Sequence, residues 1–151
     1  MRVVIQRALE ASVTIEGAFT SSIKKGMLIL AGFENDDLQE DLEWMVKKVT
    51  QIRIFNDELG VMNLSIKEVK GELLVVSQFT LHAKTKKGNR PSYIQAAKSD
   101  LAIPLYEKFK QLLEAELEQP IQSGIFGADM KVQLINDGPV TIIIDSKNKD
   151  L

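Results

Sequence analysis

The sequence contains no cysteine, which excludes disulfides, thiolate metal ligands and a cysteine nucleophile. Its one histidine, His82, leaves no second imidazole for a histidine-based metal cluster. The longest apolar run, Met27 to Phe33, is far too short to cross a bilayer. The opening residues, Met1-Arg2-Val3-Val4-Ile5-Gln6-Arg7, lack the apolar stretch and small-residue cleavage site of a signal peptide, so a cytoplasmic location without membrane attachment is expected. Also absent are a phosphate-cradling P-loop, a dinucleotide G-x-G-x-x-G, an H-E-x-x-H zinc helix and a G-x-S-x-G elbow. Any catalysis must work without those devices, and neither a cofactor nor a metal is expected.

What is present fits one globular domain spanning residues 1–151, with 44% apolar and 26% charged residues. The net charge of −2 argues against a protein that coats nucleic acid, although it leaves room for a local RNA contact. Acids crowd between Glu34 and Glu43, and bases crowd at Lys84, Lys86, Lys87 and Arg90. Solvated surface is the plainer reading of both clusters.

Strands are expected over Arg2–Arg7, Ala11–Glu16 and Ile23–Gly32, which are rich in Val, Ile and Leu. Leu38, Leu42, Met45, Val46 and Val49 recur at helical spacing, so a helix is expected from Asp36 to Thr50, with Asp36 and Gln39 as a capping box. Gln51–Phe55 reads as a strand and Glu72–Leu81 as another. Leu105, Phe109, Leu112, Leu113 and Leu117 form the stripe of a second helix, with Pro104 in its first turn and Pro120 ending it. Lys131–Ile135 and Val140–Asp145 complete the chain as two β-runs. The expected fold class is α+β: a single domain with a mainly antiparallel, barrel-like sheet and two principal helices.

Two segments carry unusual polarity. In Val75-Val76-Ser77-Gln78-Phe79-Thr80-Leu81-His82, alternation sets Gln78, Thr80 and His82 on one face. That invites a hydroxyl–imidazole pair from Thr80 and His82, but a half-buried strand with a polar solvent face is the plainer reading. Asn136-Asp137-Gly138-Pro139 reads at face value as a hairpin turn centred on Asp-Gly, with Pro139 starting the next strand. The stretch Lys84 to Pro91 could meet phosphates or could be an ordinary surface loop.

In order and spacing these segments resemble the D-aminoacyl-tRNA deacylase family, whose signatures are S-Q-F-T-L and N-x-G-P-x-T. They stand here as Ser77-Gln78-Phe79-Thr80-Leu81 and Asn136-Asp137-Gly138-Pro139-Val140-Thr141. Arg2 to Arg7, Arg53-Ile54-Phe55, Met62 to Ser65, Lys87 to Ser92 and Gly124 to Ala128 extend the resemblance over essentially the whole chain. Three positions depart or differ. Lys84 stands where an acid is common, Tyr93 where Phe is usual, and position 82 is not generally histidine in the family, which counts against His82 as a base.

The resemblance implies a homodimer that hydrolyses the ester joining a D-amino acid, or glycine, to the 3′-terminal adenosine of tRNA. It implies that Ser77, Gln78, Phe79 and Thr80 line the scissile end. Gly138 and Pro139, joined by a cis bond, would reach into the partner's pocket and exclude an L side chain by main-chain atoms. It further implies that Arg7 braces this motif, that Met130 borders the pocket, and that Thr141 belongs with the substrate-binding residues. Lys84, Lys86, Lys87 and Arg90 would contact tRNA. An ester needs only a fixed carbonyl, oxyanion donors and water. Water assisted by the ribose 2′-hydroxyl is preferred over attack by an unactivated Thr80. Two other readings stand beside this one: a non-catalytic dimer that binds the tRNA acceptor end, and a hydrolase for small esters or amides.

Overall fold

The computed structural model describes the backbone of residues 1–151 and every side chain except those of Phe19 and Thr20. Its axis is a single 14-residue strand, β1 (Arg2–Ile15), in which the two separately expected opening strands are one. A turn at Glu16 and Gly17 leads into β2 (Ala18–Ile23), which folds back on Ala11–Ile15. β3 (Gly26–Gly32) then takes the same edge of β1 nearer its start, along Arg2–Ala8. The other edge is lined by β8 (Met130–Asp145), antiparallel to β1 from Ile15 back to Arg2.

Helix α1 (Gln39–Gln51) carries the chain from β3 to β6 (Glu72–Ser77), and α2 (Ser99–Leu117) carries it on to β7 (Gln122–Ser123). Each connection spans two parallel strands, β3 with β6 and β6 with β7. The sheet is therefore mixed: the pairings of β1 with β2, β3 and β8 are antiparallel, as the expectation of a mainly antiparallel sheet had it, and two parallel pairings are added to them. Parallel neighbours need a crossover helix and are covered on both faces. Leu73 to Val76 are accordingly all buried, an unbroken apolar run without the alternation that marks a one-sided strand.

The sheet curls into a nearly closed barrel. The gap between β2 and β7 is bridged by the Ser21 hydroxyl, which donates to the Ser123 carbonyl at 2.8 Å. Period-two alternation then makes two cores. Leu28, Leu74 and Val76 point inward with Ala8, Ala11, Val13 and Ile23. Met27, Ile29, Leu73 and Val75 point outward beneath Leu42, Met45 and Val49 of α1 and Tyr106, Phe109 and Leu113 of α2. The Tyr106 hydroxyl donates to the Val75 carbonyl at 2.9 Å, fixing α2 on the sheet.

Several boundaries differ from expectation. α1 starts at Gln39, because the Asp41 carboxylate reaches back to the Leu38 N–H at 2.9 Å; Asp36 lies outside the helix. Pro104 is the sixth residue of α2 and so lies beyond its first turn, and the helix ends at the left-handed Glu118 before Pro120 is reached. Of the expected Gln51–Phe55 strand only Phe55 is in one, β4 (Phe55–Asn56), which pairs with β5 (Met62–Leu64). Asp57 tightens the intervening turn by accepting from the Leu59 and Val61 N–H groups.

Candidate active site

The polar end of β6 does not continue as a strand. After Ser77 the chain enters a 3₁₀ turn, Phe79–His82, so the expected alternation of Gln78, Thr80 and His82 on one face is lost. Three contacts hold this turn. The Gln78 N–H donates to the Ala31 carbonyl at 2.7 Å. Arg2, which also pairs with Asp145, donates from its guanidinium to the Leu81 carbonyl at 2.7 Å. His82 is 3% exposed, with Nδ1 3.3 Å from Glu34 Oε1 and the Cδ2–Nε2 edge of its ring close to Gly32. A Cβ on Gly32 would lie 2.8 Å from the Gln78 carbonyl oxygen, so only glycine admits the turn this close to β3.

The imidazole thus faces Glu34, away from the site, and does not pair with Thr80. The Thr80 hydroxyl instead accepts from the Gln78 side-chain amide. Among the described residues, the Phe79 and Thr80 N–H groups have no acceptor, as is usual for the first donors of a helical turn. Phe79 leaves its ring 54% exposed, edge-to-face with Tyr93 at 5.1 Å between centroids.

Ser77, Gln78 and Phe79 line one side of a cavity of about 310 Å³. The other side is made by Phe126 to Met130 and Val132, and Phe33, Ala97 and Ala102 close its end. Met130 is among the residues that line this cavity. Its sulfur lies across Gly124, where a Cβ would approach to within 2.4 Å. The Phe126–Asp129 turn was not singled out as site residues. The signal for it was Gly124-Ile125-Phe126-Gly127-Ala128, a glycine-bounded block in a position without strand or helix periodicity.

The remaining site residues form a second cluster. Asn136 to Thr141 make no hairpin, because both halves of β8 pair with β1 in the same direction: Asn136 opposes Ala8 and Thr141 opposes Gln6. Between these two pairs lie four residues of β8 against one of β1, Arg7, so Asp137 to Val140 are forced out as a bulge. The Asn136 side chain closes its base, accepting from the Val140 N–H at 3.1 Å and donating to the Thr141 hydroxyl at 3.1 Å. The Gly138–Pro139 bond is cis, and both residues are exposed at the tip. Beneath them lies Arg7, 6% exposed, which donates to the carbonyls of Asp137 (3.1 Å) and Ile54 (2.6 Å) and to the Asn56 side chain (3.2 Å).

The two clusters do not meet within one chain. Val132 borders the cavity, whereas Gly138 and Pro139 stand further along β8 on the bulge and are not among the cavity's lining residues. Lys84, Lys86, Lys87 and Arg90 occupy an exposed loop whose base is closed by paired backbone hydrogen bonds between Lys84 and Ser92 (2.8 and 3.0 Å). Elsewhere, Glu34, Asp36 and Asp37 have a spacing that could hold a cation. Asp37 is already committed, however, to the Met1 amino group and the Glu34 N–H, which marks a structural turn.

The family model for D-Tyr-tRNA(Tyr) deacylase matches residues 4–145. The D-aminoacyl-tRNA deacylase of Flavobacterium johnsoniae is 61% identical over 150 residues, covering 99% of this chain and 100% of that one. Its counterpart in Bacteroides thetaiotaomicron is 63% identical with the same coverage. Among solved structures, the c-Myc DNA Unwinding Element Binding Protein superposes with a TM-score of 0.91 at 40% identity, over 96% of this chain and 98% of that one. A probable eukaryotic D-amino acid tRNA deacylase superposes at 0.81 with 18% identity, over 95% and 97% of the two chains, a likeness of fold alone. These matches make the protein a deacylase, an ester hydrolase. The chain belongs to the D-Tyr-tRNA(Tyr) deacylase family, as its ordered motifs implied.

Proposed function

We propose that the protein hydrolyses the ester bond of D-aminoacyl-tRNA, releasing tRNA and the free D-amino acid, and that it works as a homodimer. Within the dimer, the Gly138–Pro139 bulge of one protomer covers the cavity of its partner. The observation that carries this reading is the separation of the two motifs. The cavity is lined by the polar turn and not by Gly138 or Pro139, while the bulge holds those two residues exposed to solvent. A two-fold pairing along the free outer edge of β8 supplies each with the other, twice. Exposed Ile135 and Ile143 on β8 and Leu9 on β1 suit such an interface.

In the composite site, the terminal adenosine ester enters the cavity beside Ser77 and Met130. The free N–H groups of Phe79 and Thr80 receive the carbonyl oxygen as negative charge develops on it. The Gly138 and Pro139 carbonyls take the α-amino group and leave no space for an L side chain, whereas a D side chain points away and glycine has none to exclude. Arg7 holds that bulge rigid from below, with Thr141 pinned at its base. Thr80 has a donor against its oxygen and no base beside it, so it is a poor nucleophile. Water attacks instead, assisted by the neighbouring ribose 2′-hydroxyl. The loop with Lys84, Lys86, Lys87 and Arg90 meets phosphates of the tRNA.

Incubating the protein with D-Tyr-tRNA and L-Tyr-tRNA tests the reading directly: the D ester is released and the L ester survives. Equal protection of both would establish a binding module instead, and equally fast cleavage of free D-tyrosyl esters a small-ester hydrolase. A 2′-deoxy terminal adenosine blocks cleavage, while Thr80→Ala keeps a substantial fraction of activity. An acyl-Thr80 adduct found by mass spectrometry would overturn the water mechanism.

A further inference from the structure

Phe79 belongs to two surfaces at once. It lines the cavity and also meets Tyr93 edge-to-face outside it. Tyr93 is 39% exposed and the adjoining Ile94 is 82% exposed, so an apolar ledge continues from the cavity rim to open solvent. Contiguous exposed apolar groups, unlike single ones, mark sites of interaction. This ledge is also anchored. The Lys84–Ser92 pairing fixes one side, and on the other the Ala97 N–H donates to the Phe33 carbonyl at 2.9 Å.

The charge around the ledge points to its occupant. From Leu73 to Ser99 the chain has no carboxylate, although the protein carries 21 acids and is net negative. Lys84, Lys86, Lys87, Arg90 and Lys98 all fall in that stretch. Among the described residues none of the five takes part in an ion pair, and the stretch itself holds no acid that could neutralise them. An unneutralised basic loop flanking an exposed ring is the arrangement that holds a single strand, with cations on its phosphates and the ring under a base.

Resting on the deacylase reading above, we infer that Tyr93, backed by Phe79, is a stacking platform for the unpaired nucleobase immediately preceding the terminal adenosine. The ester is then recognised as the end of a single strand rather than as an isolated aminoacyl nucleoside. Tyr93 is a specificity-determining residue in this scheme and touches none of the reacting atoms. The ring matters and the hydroxyl does not, because stacking uses the π-face.

The test compares three D-tyrosyl esters, on full tRNA, on the trinucleotide C-C-A and on adenosine alone, using the wild type, Tyr93→Ala and Tyr93→Phe. Tyr93→Ala is expected to lower kcat/KM by about 5- to 100-fold on tRNA and the trinucleotide, mostly through KM. It should leave adenosine-ester cleavage unchanged, and Tyr93→Phe should behave as wild type on all three. An equal loss on adenosine ester and tRNA overturns the inference, since Tyr93 would then serve only to prop Phe79. So does an unchanged rate on every substrate with Tyr93→Ala. A wild-type protein that cleaves none of the three esters refutes the deacylase reading itself, an outcome distinct from either of these.

Discussion

The 77–82 turn and the 136–141 bulge look alike as sequence, since each is a polar interruption in a run of strand-forming residues. In the fold they are opposites. The turn is concave: Arg2, Ala31, Gly32 and Glu34 hold it against the end of β3, and its outer side forms a cavity wall. The bulge is convex, with an exposed tip and a buried arginine beneath. One receives and the other projects. On the reading proposed above, each shape is completed by the other from a second copy, and the contrast shows why neither motif alone identifies a site.

The sharpest way to break this pairing is Gly138→Val. Gly138 has φ +128°, and an added Cβ would lie 2.8 Å from Val140 Cγ2 and 3.1 Å from the Arg7 guanidinium. Deacylation of D-Tyr-tRNA should fall at least about 100-fold, the scale of a misplaced positioning group, with a lower melting temperature from the strained backbone. Mixing that variant with Gln78→Ala, itself impaired in the turn, should restore about a quarter of the sites after subunit exchange. Failure of the mixture to recover any activity would place both motifs in the service of the same protomer.

Arg7→Ala removes the support under the bulge and strands the Ile54 and Asp137 carbonyls. We expect a loss of about 2–3 kcal/mol in urea unfolding and a parallel loss of chiral selectivity. On the turn side, His82→Ala should change kcat less than about 10-fold, because the imidazole faces Glu34; a general base would cost about 100-fold or more. Kinetics at constant pH decide between them.

The smallest effect is expected at the anchor just beyond β8. Asp41 is pulled up by burial, but hydrogen bonds from Lys147, the Leu38 N–H and Ser146 outweigh this and bring it from 3.8 to about 2. Its stabilising share is complete above the ordinary value and is lost as pH falls through about 2. Lys147→Met should therefore cost about 1 kcal/mol at pH 7, and the difference between the two proteins should shrink as pH is lowered toward 2. Denaturant titrations at both pH values check the sign.

Much of the fold was legible. α1 and α2 announce themselves through Leu42, Met45, Val49 and through Phe109 and Leu113, because a stripe of that period has one stable use. The strands were found but wrongly divided. Leu9 and Glu10 interrupt the apolar pattern of β1 at the bulge where its alternation changes face, which mimics a boundary. Asp-Gly-Pro mimics a hairpin for a similar reason: local turn chemistry does not reveal that both flanks share one partner strand. Of the candidate site, the two motifs were visible as residues. The Phe126–Asp129 wall and the Arg2 contact were not, since they come from 50 and 80 positions away respectively.

By itself the sequence determined the chemistry available: no thiol, one imidazole, two helices, a family and its two polar motifs. Those follow from residue type and short-range periodicity, which the chain carries locally. Only tertiary structure decided that the sheet is mixed, that His82 turns toward Glu34, and that the receiving turn and the projecting bulge lie at separate places on one protomer. Each of these is fixed by pairing between distant strands, and register across a sheet is set by partners that no local window contains.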